Sequence, residues 1–333
     1  LDTVTKIADR PKSWRRWLPR LLRVGIGIVV ALGVGHRLWS ERDRLGSVAR
    51  QVEISWLLLS GVLYVAGLST CALFWWRSIC DQGVRPGLLT TWTAYFAGHL
   101  GKYVPGKGLV IVIRAGLLRD SNVSLATGAI SCAYETLLMM ATGALVSVVL
   151  FPVIPQGMGG SLMIGAIFML AVLGVPALPP CVSLWSRLAT RPFLKDSAGS
   201  AYRCRWTVFG WGVCWVAGGW FLMGLSLAAV LASLHSWGLL VARFGWPGAI
   251  GLVTAVSALA TVGGFLSFLP GGLGSREWIL VETLAPALGE DRTADAAVAA
   301  VLLRVVWIVA ELVATAVFWQ LDRQWNNRRG ETP

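Results

Sequence analysis

Phe268-Leu269-Pro270-Gly271-Gly272-Leu273-Gly274-Ser275-Arg276-Glu277 cuts through an apolar region that starts at Gly248 and continues to Leu288. Proline has no N–H to donate and glycine tolerates any φ, so Pro270, Gly271, Gly272 and Gly274 predict a helix break. Upstream, Gly101-Lys102-Tyr103-Val104-Pro105-Gly106-Lys107-Gly108 predicts the same, with Pro105 and Gly106 at its centre. It joins two apolar pieces, Leu88–Leu100 and Leu109–Leu118. Each is too short to cross a hydrocarbon core of ~30 Å, which takes about 20 residues. Short arms around a break predict re-entrant helical hairpins over 88–118 and 248–288. Such backbone is tolerated at membrane depth only when protein covers it or it lines a cavity.

The rest of the chain supplies the membrane context. Of its 333 residues 56% are hydrophobic and only 14% charged, against about 25% charged in soluble domains. The deficit makes lipid the expected solvent for most of the surface. The 18 tryptophans fit helix ends at headgroup level. Full spans are expected at Arg23–Leu38, Trp56–Trp76, Val123–Leu150, Ser161–Leu178, Trp206–Leu231 and Ala294–Trp319. The fold class is therefore an all-α polytopic membrane protein, with about six full spans and two re-entrant helical hairpins. No polar stretch is long enough for a separate soluble domain, so residues 1–333 read as a single membrane domain.

Net charge is +12, and the basic residues cluster in short loops. That pattern points to topology and anionic headgroups rather than nucleic acid. Segment 1–22 is basic, lacks a signal-peptide cleavage pattern, and is expected in the cytoplasm ahead of a retained span. That orientation keeps inside the run Lys6–Arg23, Arg77, Arg85, the loop Arg187–Arg205, and Arg323, Arg328 and Arg329 in tail 320–333. Outside remain Arg37, Arg42, Arg44, Arg50, Arg243 and Arg292. The topology closes only if each broken segment returns to the side it came from. Residues 23–150 and 161–319 then become two halves of an inverted repeat, a plan common in secondary transporters. A bacterial-type inner or plasma membrane is expected, with both termini cytoplasmic.

Several charges fall where charge is costly, at least ~2.5–3.5 kcal/mol near a bilayer centre. Glu135 and Arg304 lie inside spans that occupy equivalent places in the two halves. Arg114 lies on the returning arm of the first hairpin, and Arg276 and Glu277 open that of the second. Lys102 and Lys107 flank the first break; Glu282 and Glu311 are further candidates nearer an interface. One reading is a polar chamber at the hairpin tips. There the free N–H groups and dipole of a returning half-helix favour an anion, and Arg276 offers a fork suited to phosphate. Arg114 and Arg304 would hold the same headgroup, while Glu135, the preferred proton-sensitive group, and Glu277 would bind a cationic group, carry a proton or position the arginines. The other reading is architectural: Glu135–Arg304 and Arg114–Glu277 as locking ion pairs, and Lys102 and Lys107 snorkelling to the surface. The six cysteines form no CxxC and read as buried thiols, the three histidines have no ligand spacing, and His99 reads as a packed polar residue. No metal or cofactor is expected.

At these residues the chain resembles the transmembrane region of lysylphosphatidylglycerol synthases, the multiple peptide resistance factors, and their stand-alone relatives. The likeness rests on Gly101-Lys102-Tyr103-Val104-Pro105-Gly106-Lys107 with Arg114 and Glu135, and on Leu269–Glu277 with Arg304, over roughly residues 15–325. In full-length members this region is a flippase for aminoacylated phosphatidylglycerol, which a separate soluble domain makes. No such domain lies in these residues, so the resemblance implies lipid translocation, not aminoacyl transfer. It leaves the headgroup open, between a phospholipid and a polyprenyl-phosphate-linked sugar. The expected partners are a membrane lipid as substrate and a separate lipid-modifying enzyme; a homo-oligomer is compatible with this plan. Two other classes compete. An intramembrane transferase or hydrolase on a lipid phosphate would need a catalytic constellation, and none is seen. A membrane subunit of a soluble enzyme would dock it on Arg187–Arg205.

Overall fold

The computed structural model describes residues 52–103, 108–150, 159–190, 202–267, 269–289 and 292–329. The expected first span Arg23–Leu38, segment 1–22, and Pro105, Gly106 and Lys107 lie outside the described residues, as does the end of the tail from 330. Among the described residues the chain forms ten α-helices and no strand. They are α1 Ile54–Cys80, α2 Leu88–Leu100, α3 Gly108–Leu117, α4 Leu125–Leu150, α5 Gly159–Ala177, α6 Pro179–Thr190, α7 Trp206–Ser233, α8 Trp237–Leu266, α9 Ser275–Leu288 and α10 Thr293–Arg329. Short 3₁₀ turns, Gly101–Tyr103 and Pro270–Gly272, sit at the two expected breaks.

The distribution of polarity identifies the solvent. Leu58, Val62, Ile164, Phe168, Trp211, Val305 and Val313 are all more than half exposed. Arg114, Glu135, Glu277 and Glu311 are buried. Water would drive the opposite arrangement, whereas lipid leaves an apolar outer face at no cost and forces charges inward. Five helices are long and apolar enough to cross a membrane: α1, α4, α7, α8 and most of α10. A sixth candidate is α5 with α6, bent by 65° beside Pro176 and Pro179. The protein is an all-α polytopic membrane protein.

Hydrogen bonds define the two ends of the bundle. At one end, Gln82 after α1 bonds the backbone of Arg203 before α7, at 2.7 and 2.8 Å. Thr90 at the start of α2 donates to Asp322 near the end of α10, at 2.8 Å. At the other end, the Glu53 N–H before α1 donates to Ser233 O at the end of α7. Ser236, just before α8, meets Asp295 at the start of α10, and Arg243 caps the last carbonyls of α9, Pro286 O and Ala287 O. The pair α2/α3 therefore penetrates from the first end and the pair α8/α9 from the second. Their tips meet inside: a β-carbon on Gly271 would lie 3.1 Å from the Tyr103 ring. Two hairpins from opposite ends, each followed by a long helix (α4, α10), form the inverted arrangement.

Three boundaries differ from the sequence reading. First, a further helical segment precedes the second hairpin: Trp237–Leu266 joins two helices across non-helical Gly245 (φ 68°), just before Pro247, so the arm itself starts close to the expected Gly248. As a whole α8 is long enough to span, so only α2, α3 and α9 are short. Second, α10 continues ten residues past Trp319, placing Arg323 and Arg328 on a helix rather than in a tail. Third, Arg187 is part of α6, not of a loop.

Close approach of helices α1 and α7 rests on small residues. A β-carbon on Gly67 would fall 2.9 Å from Gly219 O, and one on Gly219 would fall 2.8 Å from Gly67 O. With lipid outside, such van der Waals contact takes over the role that apolar burial has in water. Ser60 and Ser226 add a 2.8 Å hydrogen bond across the same pair.

Candidate functional site

Three charge clusters lie along the inside of the bundle. The first belongs to the first half. Arg114 on α3 ion-pairs with Glu135 on α4 at 2.6 Å. Tyr95 on α2 donates to the same carboxylate at 3.0 Å, and its ring lies 3.8 Å beneath the guanidinium. Gly98 leaves room for the arginine stem, since a β-carbon there would collide with it. Arg114 and Glu135 are each about 1% exposed, sealed by Trp75, Tyr95 and Cys132.

The second cluster belongs to the second half. Glu277 on α9 ion-pairs with Arg304 on α10, and its other oxygen accepts the Gly274 N–H at 2.7 Å. Arg304 also reaches Gly271 O at 3.4 Å. The two clusters are sign-reversed counterparts. In the first half the returning arm carries arginine and the next span glutamate; in the second, the reverse. Each pair ties a returning arm to the span that follows it. The architectural reading had the right residues with the wrong partners. Glu135–Arg304 and Arg114–Glu277 do not form, because each charge finds its opposite within its own half.

The third cluster joins the halves, and the sequence reading underrated it. Glu311 on α10 is fully buried. It accepts from Lys102 in the first turn at 2.6 Å and from the Tyr64 hydroxyl on α1, and lies 3.7 Å from His99 Nε2 on α2. Lys102 therefore points inward instead of snorkelling. His99 Nδ1 in turn is 3.4 Å from Arg114 Nη2, which links the first cluster to the third. The signal for Glu311 was present as spacing: Arg304, Trp307 and Glu311 follow one another at i+3 and i+4 on one face of a helix. Nothing in the sequence marked Tyr64, and Tyr103 stood out only as part of the first break motif.

Arg276 stands apart. Among the described residues it has no carboxylate partner and no hydrogen bond; its guanidinium rests 3.9 Å from the Trp307 ring. Tyr64 stacks on that ring at 4.0 Å and 11°. Both groups cannot occupy one face at those distances, so Trp307 is sandwiched between them, and its Nε1 is held by Ser226.

Exposure separates the charges by sign. The Lys102 and Arg304 side chains are 27% and 17% accessible, while their partners Glu311 and Glu277 are at 0% and 9%. The cations form the accessible side of the tip junction and the carboxylates lie behind them. Lys102, Arg276, Arg304, Glu277 and the turn Pro270–Gly272 with Gly274 are brought together; Arg114 and Glu135 are a neighbouring, closed cluster. Glu282 is exposed on α9 and outside the group. Among the described residues no group of three or more His, Cys, Asp or Glu is placed to hold a metal ion. No family model matches the chain, and no curated protein matches it.

Proposed function

We propose that the chain moves a phosphate-bearing lipid between leaflets, with the headgroup passing the junction of the two hairpin tips. One observation carries this reading. Among the described residues Lys102, Arg276 and Arg304 outnumber Glu277 and Glu311 there, Lys102 and Arg304 are more accessible than the carboxylates they pair with, and Arg276 has no carboxylate partner. A half-buried guanidinium with no carboxylate partner among the described residues favours an anion, and its fork matches phosphate. The N-terminus of α9, at Ser275, adds the positive end of a helix dipole beside it. The apolar outer face leaves acyl chains in lipid while the headgroup travels through protein. The resemblance to the flippase region of lysylphosphatidylglycerol synthases supports the same direction of thought, with the aminoacylated phosphatidylglycerol, another phospholipid and a polyprenyl-phosphate sugar sharing the phosphate.

The chain's role as a transporter rather than an enzyme belongs to this proposal. Its test is leaflet exchange in proteoliposomes carrying fluorescent phosphatidylglycerol, phosphatidylcholine or a polyprenyl phosphate. The expected result is exchange without a new lipid product, fastest for lipids with net negative charge, and lost at least tenfold in Arg276→Ala. A new lipid product would assign the site to chemistry instead. Exchange that survives in Arg276→Ala would remove the headgroup from the tip junction.

A further inference from the structure

Glu311 is the point where the halves of the molecule hold one another. Its carboxylate sits on the last span of the second half, yet among the described residues the groups that bond it come from the first: Tyr64 from α1 and Lys102 from the first tip. The other two internal ion pairs stay within one half. Glu311 also has an unmet need. Among the described residues its Oε2 is buried without a hydrogen-bond partner.

The groups facing this carboxylate can be named element by element. From α1 comes Tyr64 and from α2 His99; the first turn gives Lys102 and Tyr103. Arg276 on α9 and Arg304 on α10 lie nearby, but neither bonds it. Helix α7 contributes only Ser226, through Trp307. Among the described residues Lys102 is thus the one lysine or arginine in direct contact with Glu311, and its side chain is more accessible than that of Arg304.

We propose that Glu311 is a proton-carrying carboxylate that couples uptake of one proton to binding of a phosphate anion at the tip junction. This rests on the reading of that junction as an anion site. An anion arriving at Arg276 and Arg304 competes for Lys102, the third cation there. A fully buried carboxylate cannot keep its charge once its cation is drawn away, because burial without a partner disfavours the ionised form. Glu311 then takes a proton from the aqueous phase onto the unpartnered Oε2. The neutral acid no longer holds Lys102, and the contact between the halves loosens when the site is loaded. His99, 14% accessible, is a second titratable side chain beside Glu311, 3.7 Å from the carboxylate. Loading the site and freeing the halves become one event.

The experiment is calorimetric titration of the purified full chain in non-ionic detergent with short-chain phosphatidylglycerol, and separately with glycerol phosphate, in buffers of different ionisation enthalpy. The buffer dependence reads the protons taken up per anion bound. The wild-type protein is expected to take up about one proton near neutral pH. Its affinity falls with rising pH, by up to tenfold per unit where uptake is complete, since a proton bound with the ligand is harder to supply. Glu311→Gln is expected to bind the anion with no proton uptake and no such pH slope. Uptake with both ligands makes the phosphate the trigger; uptake with the lipid alone makes the intact lipid the trigger. Binding by the wild-type protein without proton uptake overturns the coupling and leaves the anion site standing. No binding of either anion overturns both. Uptake that persists in a folded Glu311→Gln protein assigns the proton to another group and also overturns the proposal. If that variant does not fold, binding by the wild-type protein without proton uptake still overturns the proposal, and Glu311→Asp, which keeps the carboxyl group, is expected to retain the uptake.

Discussion

At the residue scale, the internal charges divide into clamps and a working group. Arg114 and Glu135 are sealed from solvent and bonded on several sides, so removing one leaves the other buried and uncompensated. Such losses cost about 3–5 kcal/mol, whereas replacing both partners by apolar groups is often neutral. Arg114→Leu is therefore expected to destabilise the protein strongly in a detergent unfolding assay, and Arg114→Leu with Glu135→Leu to recover most of the loss. A double variant as unstable as the single one would mean that the pair specifies more than charge balance. Arg304→Ala should behave like Arg114→Leu, because it orphans Glu277. Arg276→Ala orphans nothing, and is expected to change the unfolding midpoint little while abolishing exchange. The presence of these charges was legible in the sequence, since an arginine amid valine and leucine stands out. Their pairing was not. Position along a helix does not reveal which neighbour a side chain will reach, and Glu311, near the end of an apolar run, gave no sign of how deeply α1 and α2 would cover it.

At the element scale, the breaks are set by covalent chemistry and were legible for that reason. Pro-Gly inside an apolar run has few conformational outcomes. The turn Pro270–Gly272 needs Gly271 and Gly272 at φ 59° and 66°, which L side chains rarely adopt. Gly272 has a second constraint: a β-carbon there would sit 2.9 Å from Gly264 Cα. Gly272→Ala is expected to cost about 1–3 kcal/mol from backbone strain, with more from pushing the turn off α8, read as a lower thermal midpoint. An unchanged midpoint would mean that the turn is looser than its geometry implies. Element lengths were less legible. Non-helical Gly245 separates two helices within α8, so the apolar arm from Gly248 was legible while the helical segment ahead of the kink was not. Helix α10 also runs beyond its apolar stretch, where Thr90 donates to Asp322.

At the scale of the whole molecule, the sequence-level plan of two hairpins from opposite ends matches the architecture, even though a further helical segment precedes the second hairpin. The plan was legible because alternating spans and basic loops leave few ways to close the topology. The meeting of the tips, on which the transport reading depends, is a tertiary fact that no local pattern encodes. It places Tyr103 against Gly271 and leaves Lys102, Arg276 and Arg304 around one junction. If headgroups pass there, holding the tips together must stop them. The most direct measurement is leaflet exchange by a variant with its six native cysteines replaced and Tyr103→Cys and Gly271→Cys introduced, before and after a short bis-thiosulfonate cross-linker, which bridges the two thiols through disulfides. The account predicts efficient bridging, a fall in exchange of at least about tenfold, and recovery when a reductant opens the bridge. Exchange that continues at full rate through the bridged protein would contradict it.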